Sequence, residues 1–311
     1  MTKSIGITIP TYGRPEKVKQ TLQALFQSHT AGIPLPIPVV IVDDGSTPPI
    51  EPILREIEIP PAFSLKYIYQ PNSGPGAARN TGYQALETDI VLFLDDDVML
   101  LPDSLLRHYE FHLRTADQPC LYYGVCPSIH EKMPEAPGSI VVQEHIASGH
   151  LSVPKTLFSE KESPYASNLK TPVAEEYELA YRLHQRHVKI YMDTQNKAIH
   201  HIPPPTIDYF IRREYRHGIA LAELMYKAPE TLNMPPLPIL INRHHPYRFR
   251  LDAAWLIKSI LAHTGLYRWF GQLLGYFTDK QVSPDSIWAK AVIGAAIIRG
   301  IKDGLSTFKQ S

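Results

Sequence analysis

The first hundred residues carry two hydrophobic rhythms that take turns. Residues 5–9 form a short β-branched run closed by Pro10, and Val39-Val40-Ile41-Val42 is a continuous apolar run of the kind found in a strand covered on both faces. Between them Val18, Leu22, Leu25 and Phe26 recur at offsets of four, seven and eight, one stripe of a helix. Pro15 stands where a first helical turn tolerates it, because its missing N–H has no intrahelical partner to lose. The alternation continues with a strand over 65–69, a helix over 77–86 and a short buried strand over 90–94. Strand, helix, strand, repeated, predicts an α/β fold on a mostly parallel sheet with helices on its faces.

Two of these strands run straight into acid. Val42 is followed by Asp43-Asp44-Gly45-Ser46, and Leu94 by Asp95-Asp96-Asp97. In open α/β sheets ligands bind beyond the carboxyl ends of the strands, so five carboxylates are delivered to the edge where a ligand is expected. The aspartate triplet suits a hard divalent cation shared with substrate phosphates; the alternative is a solvated acidic turn ahead of a helix starting at Pro102-Asp103. The first pair suits hydrogen bonds to a base or ribose, or else a plain turn, since Asp, Gly and Ser all form turns. Gly74-Pro75-Gly76-Ala77-Ala78-Arg79-Asn80 offers close backbone approach, helix N–H groups and an arginine for a phosphate. A closely packed small-residue helix explains the same string.

Over 117–171 the pattern loosens into Pro, Gly and Ser, either short irregular strands or a long connection. A helix returns over 175–185, with Tyr177, Tyr181 and His184 on one face and acids in the first turn, where the helix dipole favours them. Another is predicted over 207–226, followed by a Pro-rich linker (MPPLP) and further helices.

At 311 residues the chain is long enough for about two compact units. Its 44% hydrophobic and 20% charged composition is globular. Lys plus Arg equals Asp plus Glu at 31 each, so no nucleic-acid partner is expected from bulk charge. The N-terminus does not read as a secretory signal, and Cys120 and Cys126 lack the spacing of a zinc site, so they are expected as buried or free thiols in a reducing cytosol. The apolar run over 291–298 is too short to cross a membrane. From Arg243 to Ser311 there are ten Lys or Arg against four Asp, a local excess of six positive charges, with Trp255, Trp269 and Trp288 and an Ile293, Ile297, Ile301, Leu305 stripe. Two readings stay open here: helices lying in a membrane interface, or a helical subdomain packed on the catalytic core. The expected location is cytoplasmic, with peripheral contact at the inner face of the membrane under the first reading.

The strings ITIPTYGRP, VVIVDDGS, NSGPGAARNTG, VLFLDDDV and AEEYELAYRL, over about residues 5–182, resemble the family 2 glycosyltransferases of the GT-A fold. Those are inverting enzymes that use nucleotide-diphosphate sugars. The resemblance implies a GT-A type mostly parallel sheet flanked by helices. It divides into a Rossmann-like nucleotide half over 1–116 and an acceptor and catalytic-base half over 117–228, with a C-terminal helical region over 229–311. It implies that Pro10, Thr11, Tyr12 and Arg14 lie against the nucleotide, that Asp44 with Asp43 meets the base, and that Arg79 and Asn80 border the phosphates. Asp95 and Asp96 are implied near the ribose and metal, with Asp97 the firmest ligand of a Mn²⁺ or Mg²⁺ ion. The family's Glu-Asp pair is Glu175-Glu176 here, so Glu176 takes the base position with a side chain one methylene longer. A downstream histidine often completes the metal site; His200 is preferred over His201, with two backbone-satisfied histidines as the alternative. Arg212, Arg213, Arg216 and His217 are placed toward the diphosphate or acceptor, or else on a solvated helix face.

The implied partners are a nucleotide-diphosphate sugar and an acceptor that is a saccharide, a lipid-linked molecule or a protein. Two rival functions are a sugar-phosphate nucleotidyltransferase and a non-catalytic nucleotide-sugar-binding relative. The first calls for a glycine-rich basic loop after the first strand, which TYGRP is not, and the intact acids speak against the second.

Overall fold

The computed structural model describes residues 3–128, 138–144, 146, 149–202, 206–234, 253–277 and 287–309. Most of the Pro-rich linker, with Arg243, Arg248, Arg250 and Lys280, lies outside the described residues. The chain divides into two compact units: Met1–Lys170 with Leu179–Ile202, and Thr171–Glu178 with Pro203–Ser311.

The first unit is built on a sheet with nine strands among the described residues. Strand β1 (Ile5–Thr11) lies between β2 (Ile37–Asp43) and β4 (Ile90–Leu94), parallel to both, and β3 (Phe63–Tyr69) runs parallel to β2 on the outside. Beyond β4 the sheet turns mixed. Strand β8 (His150–Pro154) is antiparallel to β4 and to β6 (Leu121–Val125); β6 is parallel to β9 (Ile190–His200). Strand β9 also takes β5 (Val98–Leu100) and β7 (Ile140–Gln143) antiparallel. The loosely patterned 117–171 stretch thus supplies three strands. Strand β9 escaped the hydrophobic pattern because it mixes burial and polarity, and its register slips from Asp193 to Lys197 between Gly124 and Val125.

Helix α1 (Pro15–Leu25) covers one face of β1: Val18, Leu22 and Leu25 share a buried core with Ile5, Ile7 and Ile9. Helix α3 (Pro75–Ala85) covers the other, where a Cβ on Gly82 would run into the Thr8 side chain, so glycine there sets how closely helix and strand approach. A short α2 (Glu51–Leu54) follows β2, and α4 (Ser104–Arg114) follows β5. Helix α5 (Ala174–Gln185) carries acids in its first turn.

The second unit is helical. Helix α6 (Ile207–Lys227) starts on Thr206, whose hydroxyl accepts the Tyr209 N–H at 3.2 Å. It is followed by α7 (Ala253–Thr264), α8 (Leu266–Phe277) and α9 (Ile287–Phe308). Helices α6 and α9 touch backbone to backbone. A Cβ at Gly218 would strike the Ile297 carbonyl, and one at Gly300 the Tyr215 carbonyl; Gly304 stands against Ala222. Small residues four apart on both helices let the axes close in. The stripe read as a possible membrane face lends Ile297 and Ile301 to this buried interior. Among the described residues no helix is long and apolar enough to cross a membrane.

Candidate active site

The two acidic strand ends lie near each other because β1 pairs with both β2 and β4. At the end of β2, Asp43 is fully buried and accepts hydrogen bonds from Ser46 N at 2.8 Å, Ile50 N at 3.1 Å and Tyr67 Oη at 2.8 Å. Burial pushes its carboxyl upward, yet these donors outweigh burial and hold it below its ordinary value. The Tyr67 hydroxyl is pushed up in turn, by burial and by its bond to Asp43. Asp44 accepts from Gln70 Nε2 at 2.7 Å, Ser73 N at 2.9 Å and Gly74 N at 2.9 Å. Gly45 and Gly74, at φ 90° and 93°, give the two loops a left-handed turn that a side chain would strain.

The end of β4 is organised differently. Asp96 is turned inward at 1% exposure, with Thr11 Oγ1 donating to its Oδ2 at 2.7 Å and Arg14 Nη2 forming an ion pair with its Oδ1 at 2.6 Å. Burial lifts its pKa to about 7, against the pull of Arg14 and Thr11. Asp95 and Asp97 flank it in the tight turn between β4 and β5, where the Val98 N–H bonds the Asp95 carbonyl at 3.2 Å, and both stay partly open. Arg79 reaches Asp95 at 2.8 Å, its guanidinium lying 5.2 Å from the centre of the Tyr165 ring. Asp97 is met by Arg14 Nη1 at 2.8 Å and by His200 Nε2 at 3.3 Å. Burial pushes Asp97 up, but the bond from His200 and the charges of His200, Arg14 and Lys17 leave it lowered. Burial likewise pulls His200 down, and Asp97 with Asp95 overrides it, leaving the imidazole raised.

The two histidines divide the work. The His200 ring meets the Asp97 carboxylate, whereas His201 gives its backbone N–H to the Asp97 carbonyl at 2.8 Å and its own carbonyl to Lys17 Nζ. Asn80 is buried and clasps the Tyr165 backbone, donating to its carbonyl at 2.7 Å and accepting its N–H at 3.0 Å. Pro10 and Thr11 end β1, and Tyr12 beyond them is 57% exposed; the Gly13 N–H bonds Ser46 Oγ at 2.7 Å. Lys17, Tyr67, Gln70 and Tyr165 were not among the residues the sequence singled out. Tyr67 and Gln70 bond the acids, Lys17 adds charge near Asp97, and Tyr165 lies against Arg79, each from another element with nothing beside it in sequence to signal it.

In the second unit, Glu175 is buried at 1% exposure and Glu176 is half-buried, in the first turn of α5. Val173, whose carbonyl accepts the Glu176 and Tyr177 N–H groups, is held at φ 83°, an unusual backbone for a β-branched residue. Tyr177 lies parallel to His217 with ring centres 6.2 Å apart, and His217 faces Glu214 at 3.4 Å, which Arg213 meets at 2.7 Å. Arg212 pairs with Asp208. A cavity of about 310 Å³ in this unit is lined by Asp208, Ile211, Arg212, Tyr215, Tyr267 and Arg268 among others, none of them from the acid cluster.

Among the described residues no three His, Cys, Asp or Glu side chains converge as a ready metal cage. Asp97 and His200 form a two-donor set with the open Asp95 carboxylate beside it. That suits a hard cation which takes one or two protein carboxylates and completes its shell with phosphate oxygens.

Residues 7–130 match the family described as Glycosyl transferase family 2. A 124-residue segment is 32% identical to the succinoglycan biosynthesis protein ExoW of Rhizobium meliloti, covering 39% of this chain and 37% of that protein. A 106-residue segment is 31% identical to a hyaluronan synthase of Pasteurella multocida, covering 33% of this chain and 10% of that protein. The matched segments thus span little more than a third of these relatives at most. Among solved structures, the mannosyltransferase PcManGT from Pyrobaculum calidifontis, in complex with GDP-Man and Mn²⁺, superposes with a TM-score of 0.64 at 14% identity, over 98% of this chain and 88% of that one. Residues 1–349 of S. aureus TarS, in complex with UDP, give 0.54 at 16% identity, over 99% of this chain and 91% of that one. At such identities the likeness speaks for the fold alone, a GT-A arrangement with a mostly parallel central sheet between helices. On that fold, residues 7–130, with the acid-ended strands inside them, match glycosyl transferase family 2.

Proposed function

We propose that the protein is a metal-dependent inverting glycosyltransferase that moves a sugar from a nucleotide-diphosphate sugar to an acceptor hydroxyl. The observation that carries this reading is the pair of partly open carboxylates, Asp95 and Asp97, held among Arg14, Arg79 and His200 where the parallel strands end. The partners named here are cationic side chains rather than backbone N–H groups, so a phosphate can compete for them. Asp97 and His200 would hold the cation, and Arg14 and Arg79 would meet the phosphate oxygens. That PcManGT was solved with GDP-Man and Mn²⁺, and TarS with UDP and with UDP-GlcNAc, supports a nucleotide-diphosphate sugar as donor. Tyr12, exposed beside Pro10 and Thr11, lies against the nucleotide in this reading, and Asp43 and Asp44 shape the loops that receive the base.

A bound Mn²⁺ or Mg²⁺ supplies Lewis-acid stabilisation of the leaving diphosphate. Arg14 and Arg79 add positive charge where negative charge develops. Glu176 takes the proton from the acceptor hydroxyl, which attacks the anomeric carbon from the face opposite the departing group, so configuration inverts. Relatives named for succinoglycan and hyaluronan synthesis support a saccharide acceptor.

Calorimetry with a nucleoside diphosphate tests the reading. Nucleotide and Mn²⁺ should bind synergistically, and Asp97→Ala should remove the synergy. Equal nucleotide affinity in Mn²⁺ and in chelator would sink it. Glu176→Gln should keep nucleotide and metal binding and lose transfer by roughly 10²–10⁴-fold. Near-normal turnover in that variant would show the base to be misassigned.

A further inference from the structure

Helices α7 and α8 leave apolar side chains in water on faces where a surface helix ordinarily shows polar ones. In α7, Ser259 and Ala262 turn into the unit while Ile257 and Ile260 turn out, at 47% and 51% exposure. In α8, Tyr267 and Gly271 turn in while Leu266 and Trp269 turn out, at 45% and 55%. Gly265, at φ 74° with open space around its Cβ position, turns the chain from one helix to the other, with an exposed apolar pair on each side of that corner. Each helix has 12 residues, about 18 Å of rise, which is short of the roughly 30 Å hydrocarbon core of a bilayer.

Charge selects the occupant. Residues 253–277 contain Lys258 and Arg268 and no Asp or Glu, within a C-terminal stretch that carries ten Lys or Arg against four Asp. Arg268 stands between Leu266 and Trp269 in sequence and is itself exposed, its Nε donating to the Tyr267 hydroxyl at 3.2 Å. A second copy of this corner would bring like charge against like. Anionic headgroups over an apolar layer offer the complementary surface, and a tryptophan suits the boundary between them. We propose that the α7–α8 corner docks on the surface of an anionic lipid bilayer, with Ile257, Ile260, Leu266 and Trp269 entering the headgroup–acyl boundary and Arg268 meeting lipid phosphate. The proposal is independent of the transfer chemistry, which resides in other residues.

The test uses the full chain with vesicles of phosphatidylcholine alone and of phosphatidylcholine mixed with phosphatidylglycerol. The protein should sediment with the anionic vesicles, less so at high salt, and its tryptophan emission should shift to the blue. Replacing Ile257, Ile260 and Trp269 together by serine should weaken partitioning on the order of 100-fold at an unchanged melting temperature. Arg268→Gln should weaken it about fivefold. Trp269→Phe guards against a misfolded triple variant: it should keep most of the binding and lose much of the blue shift. Full-length protein that stays in the supernatant with anionic vesicles at low salt overturns the proposal. So does a triple variant that binds like the parent, or a Trp269→Phe protein with the whole emission shift. A concentration-dependent dimer lost in the triple variant, without vesicle binding, assigns the corner to a second copy and equally overturns it.

Discussion

The two acidic strand ends look alike in sequence and are opposite in physical character. At the end of β2 the carboxylates of Asp43 and Asp44 accept six hydrogen bonds, four of them from backbone N–H groups of nearby loops. Backbone donors are fixed by the fold, so those acids are structural members: they hold the loops that Gly45 and Gly74 bend. At the end of β4, Asp95 and Asp97 meet arginine and histidine side chains at 2.8–3.3 Å. Of these partners Arg14, half exposed, can rotate toward a competing phosphate at modest cost. An acid satisfied by backbone is committed to the fold, and an acid satisfied by side-chain cations remains available to a ligand.

The largest effect that sharpens this contrast is functional. Asp97→Asn should cut transfer by about 10³-fold or more, an electrostatic loss of the size seen when a preorganised charge is removed, with the melting temperature hardly changed. Enzyme assay beside thermal unfolding separates the two quantities. A large drop in melting temperature with transfer intact would reverse the roles assigned to the strand ends.

Asp43→Asn should do the opposite. Its amide would set a donor against the Ser46 N–H or the Ile50 N–H, costing about 3 kcal/mol of stability. Urea unfolding measures this, and a loss under about 0.5 kcal/mol, the range of an ordinary surface change, would mean that the hydrogen bonds to Asp43 do not fix the loop.

A third polar cluster shows what burial without exchange does. His108, His112 and His150 are buried and joined through Ser152: His108 Nδ1 and His112 Nε2 each lie 2.8 Å from its hydroxyl, and His108 Nε2 lies 3.0 Å from His150 Nδ1. Burial, with His150 and His112 beside it, holds His108 well below its ordinary value, and burial brings His112 and His150 each to about 4, with Lys3 further opposing charge on His112. In the unfolded chain these rings protonate near 6.5, so between about 4 and 6.5 the unfolded state binds more protons. Stability therefore rises with pH through that window and is lost as pH falls through it. Unfolding free energy measured from pH 7 to 4 should decline steeply, and His112→Gln should flatten the slope. A flat parent profile would mean that the cluster is hydrated.

The smallest effect concerns backbone. The loops at 45 and 74 meet positive φ with glycine, whereas the turn before Glu176 uses Val173 at φ 83°. Val173→Gly should stabilise the protein by about 1 kcal/mol, strain relief less the entropy of glycine, readable as a small rise in melting temperature. No change would indicate that the valine carries little strain.

Much of this was legible in the chain. The parallel half of the sheet, helices α1, α3, α5 and α6, and the acids at two strand ends follow from periodicities and turn residues confined to about ten positions, which is as far as local propensity reaches. Strand β9 was not legible, because its polar residues are satisfied by partners far away in sequence: Asn196 takes the Ser104 hydroxyl at 2.5 Å. The Ile297–Ile301 stripe was legible as a face but not as to what it faces; Gly218 and Gly300, which let α6 lie on it, are 82 positions apart.

Sequence alone determined that carboxylates would stand at the ends of two strands and that a glutamate pair would open a helix, since residue type and spacing fix those facts. Only the tertiary structure decided which acids are committed. Asp43 is closed by Tyr67 from β3, Asp96 is buried beneath Thr11, and Asp97 is left to Arg14 and His200. The physical reason is that a carboxylate's availability depends on which donors the sheet register brings within about 3 Å, and register is a property of paired strands rather than of either one.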